Sequence, residues 1–334
     1  MTDRDAGFAA RLEAAASRRL ALLERLRGEG TDAWRVLHGA TEGVPGVAVD
    51  RYGALTLVQL FRAAGEAFPI EEFVAALRAQ GDTTAALVVV DRRAGPARVE
   101  VVGDDAEREF PVHEAGMQAL VRARHQGQDP WLFLDLRAGR RALRALAPTR
   151  RVLNLFAYTC TAGIAAARAG AREVWNVDFS AGWLRIGERL AALNGVADRC
   201  RFLREDCFAV LRQLVGLPVQ RRGKGPAYVK LAPQTFDLVV LDPPRLATGP
   251  FGKVDLVADY QSLFKPAWLA TADGGALLAT NHVAAVDREA WFAALRRCAE
   301  KAGRPLGTLE SIEPDADFPS PDGKAPLKVA LCRA

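Results

Sequence analysis

The sequence predicts an α/β protein, a doubly wound, Rossmann-like and mostly parallel sheet preceded by a small α+β domain. Three observations predict it. From Arg151 onward, short apolar runs alternate with amphipathic segments, the pattern of a parallel sheet covered on both faces. Before about Leu120 the apolar runs are short and β-rich and do not alternate regularly with helices. No apolar run reaches the roughly 18 residues of a membrane-spanning helix, so none is expected.

The elements follow in order. Residues 6–28 predict one amphipathic helix, with Phe8, Leu12, Leu20, Leu22, Leu23 and Leu26 as its stripe and Gly28 and Gly30 at its end. GVAVD (46–50) and LTLVQLF (55–61) flank Arg51-Tyr52-Gly53 and predict a hairpin. PIEEFVAALRA (69–79) predicts a helix, and ALVVVD, ARVEVV and EFPVHEAG predict three further β segments. Five strand–helix pairs come next: VLNLFA, EVWNVD, CRFLRED, FDLVVLD and GALLATN, each followed by a helical segment. LGTLESIE and PLKVALCR close the chain as an antiparallel pair. The expected organisation is an N-terminal helix (1–30), a small α+β domain (31–125) and a doubly wound α/β domain (126–334).

Composition narrows the class. Hydrophobic residues make up 50% and charged residues 25% of the chain, as in ordinary globular proteins. The N-terminus mixes acids and bases and lacks the apolar core of a signal peptide. Five cysteines form no CxxC pair, and with four histidines they predict no metal site. A reduced, cytoplasmic protein, monomer or homodimer, fits these features. The net charge is +5, and its distribution is uneven. Eight arginines lie between Val121 and Arg151, opposed by two acids. From Cys207 to Phe236 there is no acid, but Arg221, Arg222 and Lys224 are present. Such local excess suits a phosphate backbone; the alternative is a solvated basic surface.

In a doubly wound sheet, ligands bind at the carboxyl ends of the strands. Here each of the five strands ends in polar groups: Asn154 to Gly163, Asp178, Asp206, Asp242-Pro243-Pro244 and Asn281-His282. An acid ending the second strand can accept hydrogen bonds from both ribose hydroxyls. Asp206 can accept from an adenine amino group. Either acid alone could equally be a helix N-cap. Asp242-Pro243-Pro244 forms a rigid turn that presents a carboxylate and carbonyls to the cleft. A nicotinamide dinucleotide would call for GxGxxG after the first strand, and Gly163 is the one glycine of that loop. S-adenosylmethionine carries no phosphates and tolerates such a loop, so it is the expected cofactor.

Taken together, these residues resemble the bacterial 23S rRNA methyltransferases that modify cytosine at carbon 5 or guanine at nitrogen 7. The resemblance spans nearly the whole chain. It rests on VLHGATEGVPGVAVDRYG (36–53), WLFLDLRAGRR (131–141), VLNLFAYT, Asp178, Asn194-Gly195 and LDPP, in that order. It implies a seven-stranded class I methyltransferase sheet and a 23S rRNA partner. It also implies that Phe156, Tyr158 and Thr159 line the cofactor pocket, with Asn154, Gly163 and Cys207 around them. Asp178 would hold the ribose, Phe179 the adenine face, and Asp206 would sit near adenine. Asp242 and Pro243 would border the target base, while the segment with Asp135, Arg137 and Arg140 would cover the methionine end or the RNA. The PUA domain that begins many members has no counterpart expected here. Residues 216–233 look like a basic insertion suited to RNA.

The target atom is an expectation of chemistry. Carbon 5 of cytosine is methylated after a cysteine thiolate attacks carbon 6. Neither Asp242–Arg245 nor Ala279–Val283 contains cysteine. A ring nitrogen, guanine N7 by resemblance, is therefore expected, with Asn281 and His282 at the base edge. The alternatives are a tRNA, protein or small-molecule methyltransferase, or a non-catalytic RNA-binding protein.

Overall fold

The computed structural model describes residues 7–82, 84–93, 98–103 (backbone only), 108–123, 130–219, 228–320 and 325–333. The chain forms two units. The first comprises residues 1–135 and 314–323, the second 136–313 and 324–334.

The first unit opens with α1 (Phe8–Arg18) and α2 (Leu20–Gly28). The sequence predicts a single helix here, but it breaks at Arg19. The cause is the Arg19 side chain, which turns inward and donates to both carboxylate oxygens of Glu42 at 2.7 and 2.8 Å. It also donates to the Arg35 carbonyl at 2.7 Å. Arg19 is 1% exposed. Then come β1 (Ala33–His38), β2 (Val47–Tyr52), β3 (Leu55–Leu60), α3 (Ile70–Ala79), β4 (Ala86–Asp91) and β5 (Arg98–Gly103). They build a five-stranded sheet in the order β1-β2-β3-β4-β5. β3 and β4 are parallel across α3, and the other neighbours are antiparallel. β6 (Glu109–Glu114) and β7 (Met117–Arg122) form a separate hairpin.

Strand alternation gives the five-stranded sheet two faces. Leu37, Val47, Val49, Val58, Leu60 and Val89 pack against Leu12 of α1 and Phe73 and Leu77 of α3. The alternate positions Asp50, Tyr52 and Gln59 face the other way. A register shift between Arg35 and Leu37 turns Arg35 onto that second face, beside Asp50.

The second unit carries α4 (Arg137–Leu146), β8 (Arg151–Leu155), α5 (Thr161–Arg168), β9 (Glu173–Asp178), α6 (Ala181–Leu193), β10 (Cys200–Arg204) and α7 (Cys207–Leu214). β11 (Phe236–Leu241), β12 (Leu246–Thr248), β13 (Lys253–Asp255), α8 (Gln261–Leu269), β14 (Thr271–Asn281), α9 (Arg288–Lys301), β15 (Thr308–Ser311) and β16 (Lys328–Arg333) complete it. The Rossmann-like sheet has seven strands in the order β10-β9-β8-β11-β14-β16-β15. The first five are mutually parallel, and β16 runs antiparallel to both neighbours. FDLVVL in β11 is nearly continuously apolar because it is central and covered on both faces. Successive strands move outward on one side from β8 and on the other from β11. The order therefore reverses between β8 and β11, and their carboxyl ends form the switch point where ligands bind.

Candidate active site

The loop leaving β8 has an unusual backbone. Phe156, Tyr158 and Cys160 take φ values of 55°, 50° and 65°. Left-handed backbone costs an L-residue about 1–2 kcal/mol, so three alternating instances need support. Neighbouring elements provide it. Phe156 N donates to the Cys207 thiol at 3.3 Å, and Ala157 N to the Val177 carbonyl at 3.0 Å. Tyr158 N donates to Asp178 Oδ2 at 2.9 Å. In a glycine-rich loop, glycines at alternate positions would adopt this conformation without strain. Here the same kind of path is held by hydrogen bonds to the ends of β9 and α7.

Asp178 ends β9 and is 6% exposed. One carboxylate oxygen accepts from Tyr158 N and the other from Ser180 N at 2.8 Å. Ser180, not Asp178, caps α6, accepting from Trp183 N. Burial raises the Asp178 pKa above its ordinary value, against the pull of the two amides. Phe179 beside it is 67% exposed, and Tyr158 and Trp183 place their ring centroids 4.6 Å apart. Asp206 caps α7 by accepting from Phe208 N at 2.8 Å, and burial raises its pKa as well. The turn between β12 and β13 closes on this acid. A Cβ on Gly249 would lie 2.6 Å from Asp206 Oδ2, so glycine alone permits the approach.

At the other half of the switch point, Asp242 follows β11. Its Oδ1 accepts the hydroxyl of the buried Thr280 in β14. The Thr280 carbonyl accepts in turn from the buried Tyr260 hydroxyl at 2.9 Å. Pro243 is buried and Pro244 exposed.

A family model for S-adenosylmethionine-dependent methyltransferases matches residues 69–333. The chain belongs to the S-adenosylmethionine-dependent methyltransferases. This methyltransferase is 32% identical over 329 residues to a ribosomal RNA large subunit methyltransferase of Deinococcus radiodurans, covering 94% of this chain and 76% of the relative. It is 30% identical to the ribosomal RNA large subunit methyltransferase I of Aeromonas salmonicida, covering 93% and 76%. A Streptococcus mutans SAM-dependent methyltransferase shares the fold at a TM-score of 0.80 and 20% identity, over 98% of this chain and 81% of that one. A methyltransferase complexed with SAH matches at 0.79, also at 20% identity and over the same shares of the two chains.

The methyltransferase uses S-adenosylmethionine, and its strand ends fit that nucleoside. Each Asp178 oxygen accepts one amide and keeps further lone-pair capacity, enough for a diol. An exposed aromatic ring stands next in sequence, and a second acid lies at the next strand end. Among the described residues, no group of three or more His, Cys, Asp or Glu could hold a metal ion.

Several residues expected at the methyltransferase site do other work. The Asn154 amide donates to Asn176 Oδ1 at 2.9 Å, and Asn154 is 2% exposed. It ties β8 to β9 inside the sheet, because alternation turns it away from the face of Leu153 and Leu155. Gly163 serves the same contact: a Cβ there would lie 2.0 Å from Asn176 Oδ1. Asn281 does not offer its amide to a base. Its Nδ2 donates to the Leu256 carbonyl at 3.1 Å, its Oδ1 accepts from Val283 N, and it is fully buried. His282, by contrast, is exposed. Arg137 and Arg140 are fully buried in α4 and present no surface to a phosphate backbone. Arg221, Arg222 and Lys224 lie outside the described residues. Phe156, Tyr158, Asp178 and Cys207 are brought together by the loop bonds. Thr159 is fully buried within that loop. The Cys207 thiol supports the loop, and burial pushes its pKa well above the ordinary value.

Thr280, Tyr260 and Gly249 were not expected at the site. A signal for Thr280 existed. Leu241 pairs with Ala279 in the β11–β14 register, so the next residue of each strand, Asp242 and Thr280, must meet.

Proposed function

We propose that this methyltransferase modifies a base of ribosomal RNA, transferring the methyl group to a ring nitrogen, with guanine N7 the preferred acceptor. The substrate class is supported by the relatives named as ribosomal RNA large subunit methyltransferases, which this chain matches over more than nine-tenths of its length.

The observation that carries the choice of atom is the state and placement of the thiols. A thiolate facing the base is required for carbon-5 methylation. Cys160, Cys207, Cys298 and Cys332 are buried, and burial raises the pKa of each. Burial also pushes Cys200 up to about 11. None of the five follows β11 or ends β14. Guanine N7 already carries an accessible lone pair and loses no proton before attack. The protein then needs chiefly to hold the nitrogen in line with the sulfonium, which is where most of the rate acceleration arises.

Roles follow from this reading. Asp178 would bind the ribose hydroxyls and Phe179 the adenine face, with Asp206 beside the adenine. Asp242 and the carbonyls of the Pro243-Pro244 turn would orient the base. We assign His282 to the base edge, supported by its exposure at the end of β14. Bound S-adenosylmethionine supplies an electrophilic methyl group. An RNA substrate and five free cysteines together support a cytoplasmic enzyme.

The test is to map methylated nucleotides in ribosomal RNA from cells with and without the gene, and in RNA treated with the purified enzyme. 7-Methylguanine is expected. Recovery of 5-methylcytosine would overturn the assignment of the atom. Methyl transfer to tRNA or protein, with ribosomal RNA untouched, would overturn the substrate class.

A further inference from the structure

A groove of about 420 Å³ lies between α7, α8 and the β12–β13 hairpin. Every residue that lines it belongs to the second unit, as do Asp206 and Asp242. Phe208 and Phe251 form part of an apolar floor, and the charged residues of the lining are Arg212, Lys253, Lys265 and Asp259.

Three cations against one acid leave the groove basic, and little on its walls neutralises them. Arg212 donates from Nε to the Pro218 carbonyl at 2.7 Å, a neutral acceptor. Lys265 Nζ donates to the Lys301 carbonyl at 3.4 Å, again neutral. Neither cation forms an ion pair among the described residues, and Asp259 pairs with none of the three. Lys253 meets Asp255 at 3.3 Å, but its side chain is 54% exposed, and such a surface pair contributes little. The sequence explains the imbalance, because α7 opens a stretch from Cys207 to Phe236 that contains no acid. α8 starts at the groove with Gln261 and Ser262, and no side chain caps it. Its positive end adds to the same field.

Two connections place the groove beside the strand ends. The hairpin turn meets the Asp206 carboxylate through Gly249 and the Phe208 ring through Gly252; a Cβ on either glycine would lie 2.6 Å from its neighbour. Tyr260, the residue before α8, holds the Thr280 carbonyl, and the Thr280 hydroxyl holds Asp242. Neither acid lines the groove, so it adjoins the candidate site without being part of it. Its volume falls within the roughly 300–1,000 Å³ of small-ligand sites and admits one nucleotide. Lysines act as point charges toward phosphate, and a basic groove that tracks the backbone is how proteins hold single-stranded nucleic acid.

We propose that this groove binds a phosphodiester of the RNA substrate flanking the methylated nucleotide, with Lys253, Lys265 and Arg212 as its cations. The proposal rests on the reading of the substrate as RNA.

The test titrates the full-length enzyme with transcribed large-subunit ribosomal RNA over a range of salt concentrations, as wild type, Lys253→Gln, Lys265→Gln and the double variant. Each single substitution should weaken RNA binding roughly fivefold at low salt and lower the slope of log affinity against log salt by about 0.7, the effect of one lost phosphate contact. The double variant should show both losses, and Lys265→Arg should keep the wild-type slope. Arg172→Gln removes the same charge from an exposed position just ahead of β9, at the opposite end of the sheet, and should change the slope far less. In methylation assays the double variant should raise KM for RNA more than it lowers kcat, with the thermal midpoint and the affinity for S-adenosylmethionine at wild-type levels. Wild-type RNA affinity and slope in the double variant, with RNA still methylated by the wild type, would overturn the groove proposal alone. An equal loss in Arg172→Gln would also overturn it, since diffuse charge rather than a site would then be responsible. Lost cofactor affinity in the double variant would overturn it by giving the groove to the cofactor. Failure of the wild-type enzyme to bind and methylate RNA would remove the substrate reading and the groove proposal with it.

Discussion

The hydroxyl of Thr280 donates to Oδ1 of Asp242, joining the ends of two adjacent parallel strands at the switch point. Its backbone carbonyl is held by Tyr260. The Asp242 carboxylate is thereby fixed by residues that need not touch a substrate. Thr280→Val keeps the shape and removes the donor. It should lower the rate of methyl transfer about 10- to 100-fold, as a small misplacement of a positioning group does. Cofactor affinity should be retained, and Thr280→Ser should recover most of the rate. Single-turnover kinetics beside calorimetry with S-adenosylmethionine will show whether the two quantities separate.

Asp178 gives a prediction about the cofactor. Asp178→Ala removes a buried acceptor and should weaken S-adenosylmethionine binding by about 2 kcal/mol, roughly 30-fold. Unchanged affinity would remove Asp178 from the cofactor site.

The pH dependence of binding follows from the same group. Burial raises the Asp178 pKa above its ordinary value of 3.8. Only the ionised form accepts two ribose hydroxyls, so affinity should fall as pH drops through a midpoint above that value. Above the midpoint affinity should be flat. Titration calorimetry across the acid range measures this, and Asp178→Asn should abolish most of the dependence.

Asn154 and Gly163 both meet Asn176 Oδ1 inside the sheet and give a prediction about packing. Asn154→Ala leaves Asn176 without its buried partner and should destabilise the protein by about 1–3 kcal/mol. Gly163→Ala forces a methyl group into the Asn176 amide and should destabilise it by a similar amount. In both variants the folded protein should bind S-adenosylmethionine as the wild type does. Urea denaturation paired with calorimetry distinguishes this packing role from a direct cofactor contact.

The first unit should be acid-sensitive. Burial, reinforced by Arg35, lowers the His38 pKa from 6.5 to about 4. The native state therefore binds a proton less readily than the unfolded chain. Stability should fall as pH drops from about 6.5 towards 4, and change little with this group above that range. Glu42 adds to the effect at lower pH. Burial alone would raise its pKa, but the bonds from Arg19 and the His38 amide prevail and lower it. Its contribution is thus present above the unfolded value of 4.5 and lost as pH falls below it. Denaturant midpoints measured from pH 7 to pH 4 should trace this loss, and His38→Gln should flatten its upper part.

Much of the second unit was legible because each strand and helix announces itself through its own periodicity. VLNLFA, EVWNVD and FDLVVLD need no distant partner to be read, and the acids that close them fall at strand ends by simple counting. Asn154 and Asn281 were misread for the complementary reason. Both stand at strand ends and both are polar, but the face each presents depends on register with a neighbouring strand. The break at Arg19 depends on Glu42, which no helical periodicity reveals. The β12–β13 turn closing over Asp206 is similarly invisible, because its cause is an approach to a residue more than forty positions earlier. The left-handed φ angles of Phe156, Tyr158 and Cys160 were hidden by the absence of glycine, the usual mark of such backbone.

The segment 314–323 belongs to the first unit although the whole second sheet except β16 precedes it in sequence. Asp315 pairs with Arg25 at 2.6 Å, and Asp317 accepts from the Arg35 amide at 2.9 Å. Phe318 from the same segment supplies the ring beneath the Arg35 guanidinium. During synthesis, the N-terminal 135 residues therefore emerge from the ribosome lacking part of their own structure. They must wait for almost the entire polypeptide before acquiring it, unlike domains that complete themselves one after another as they are translated. A fragment cut after Asp135 should be less resistant to proteolysis than the same residues in the intact chain, and supplying 314–323 as a peptide is the natural way to restore it.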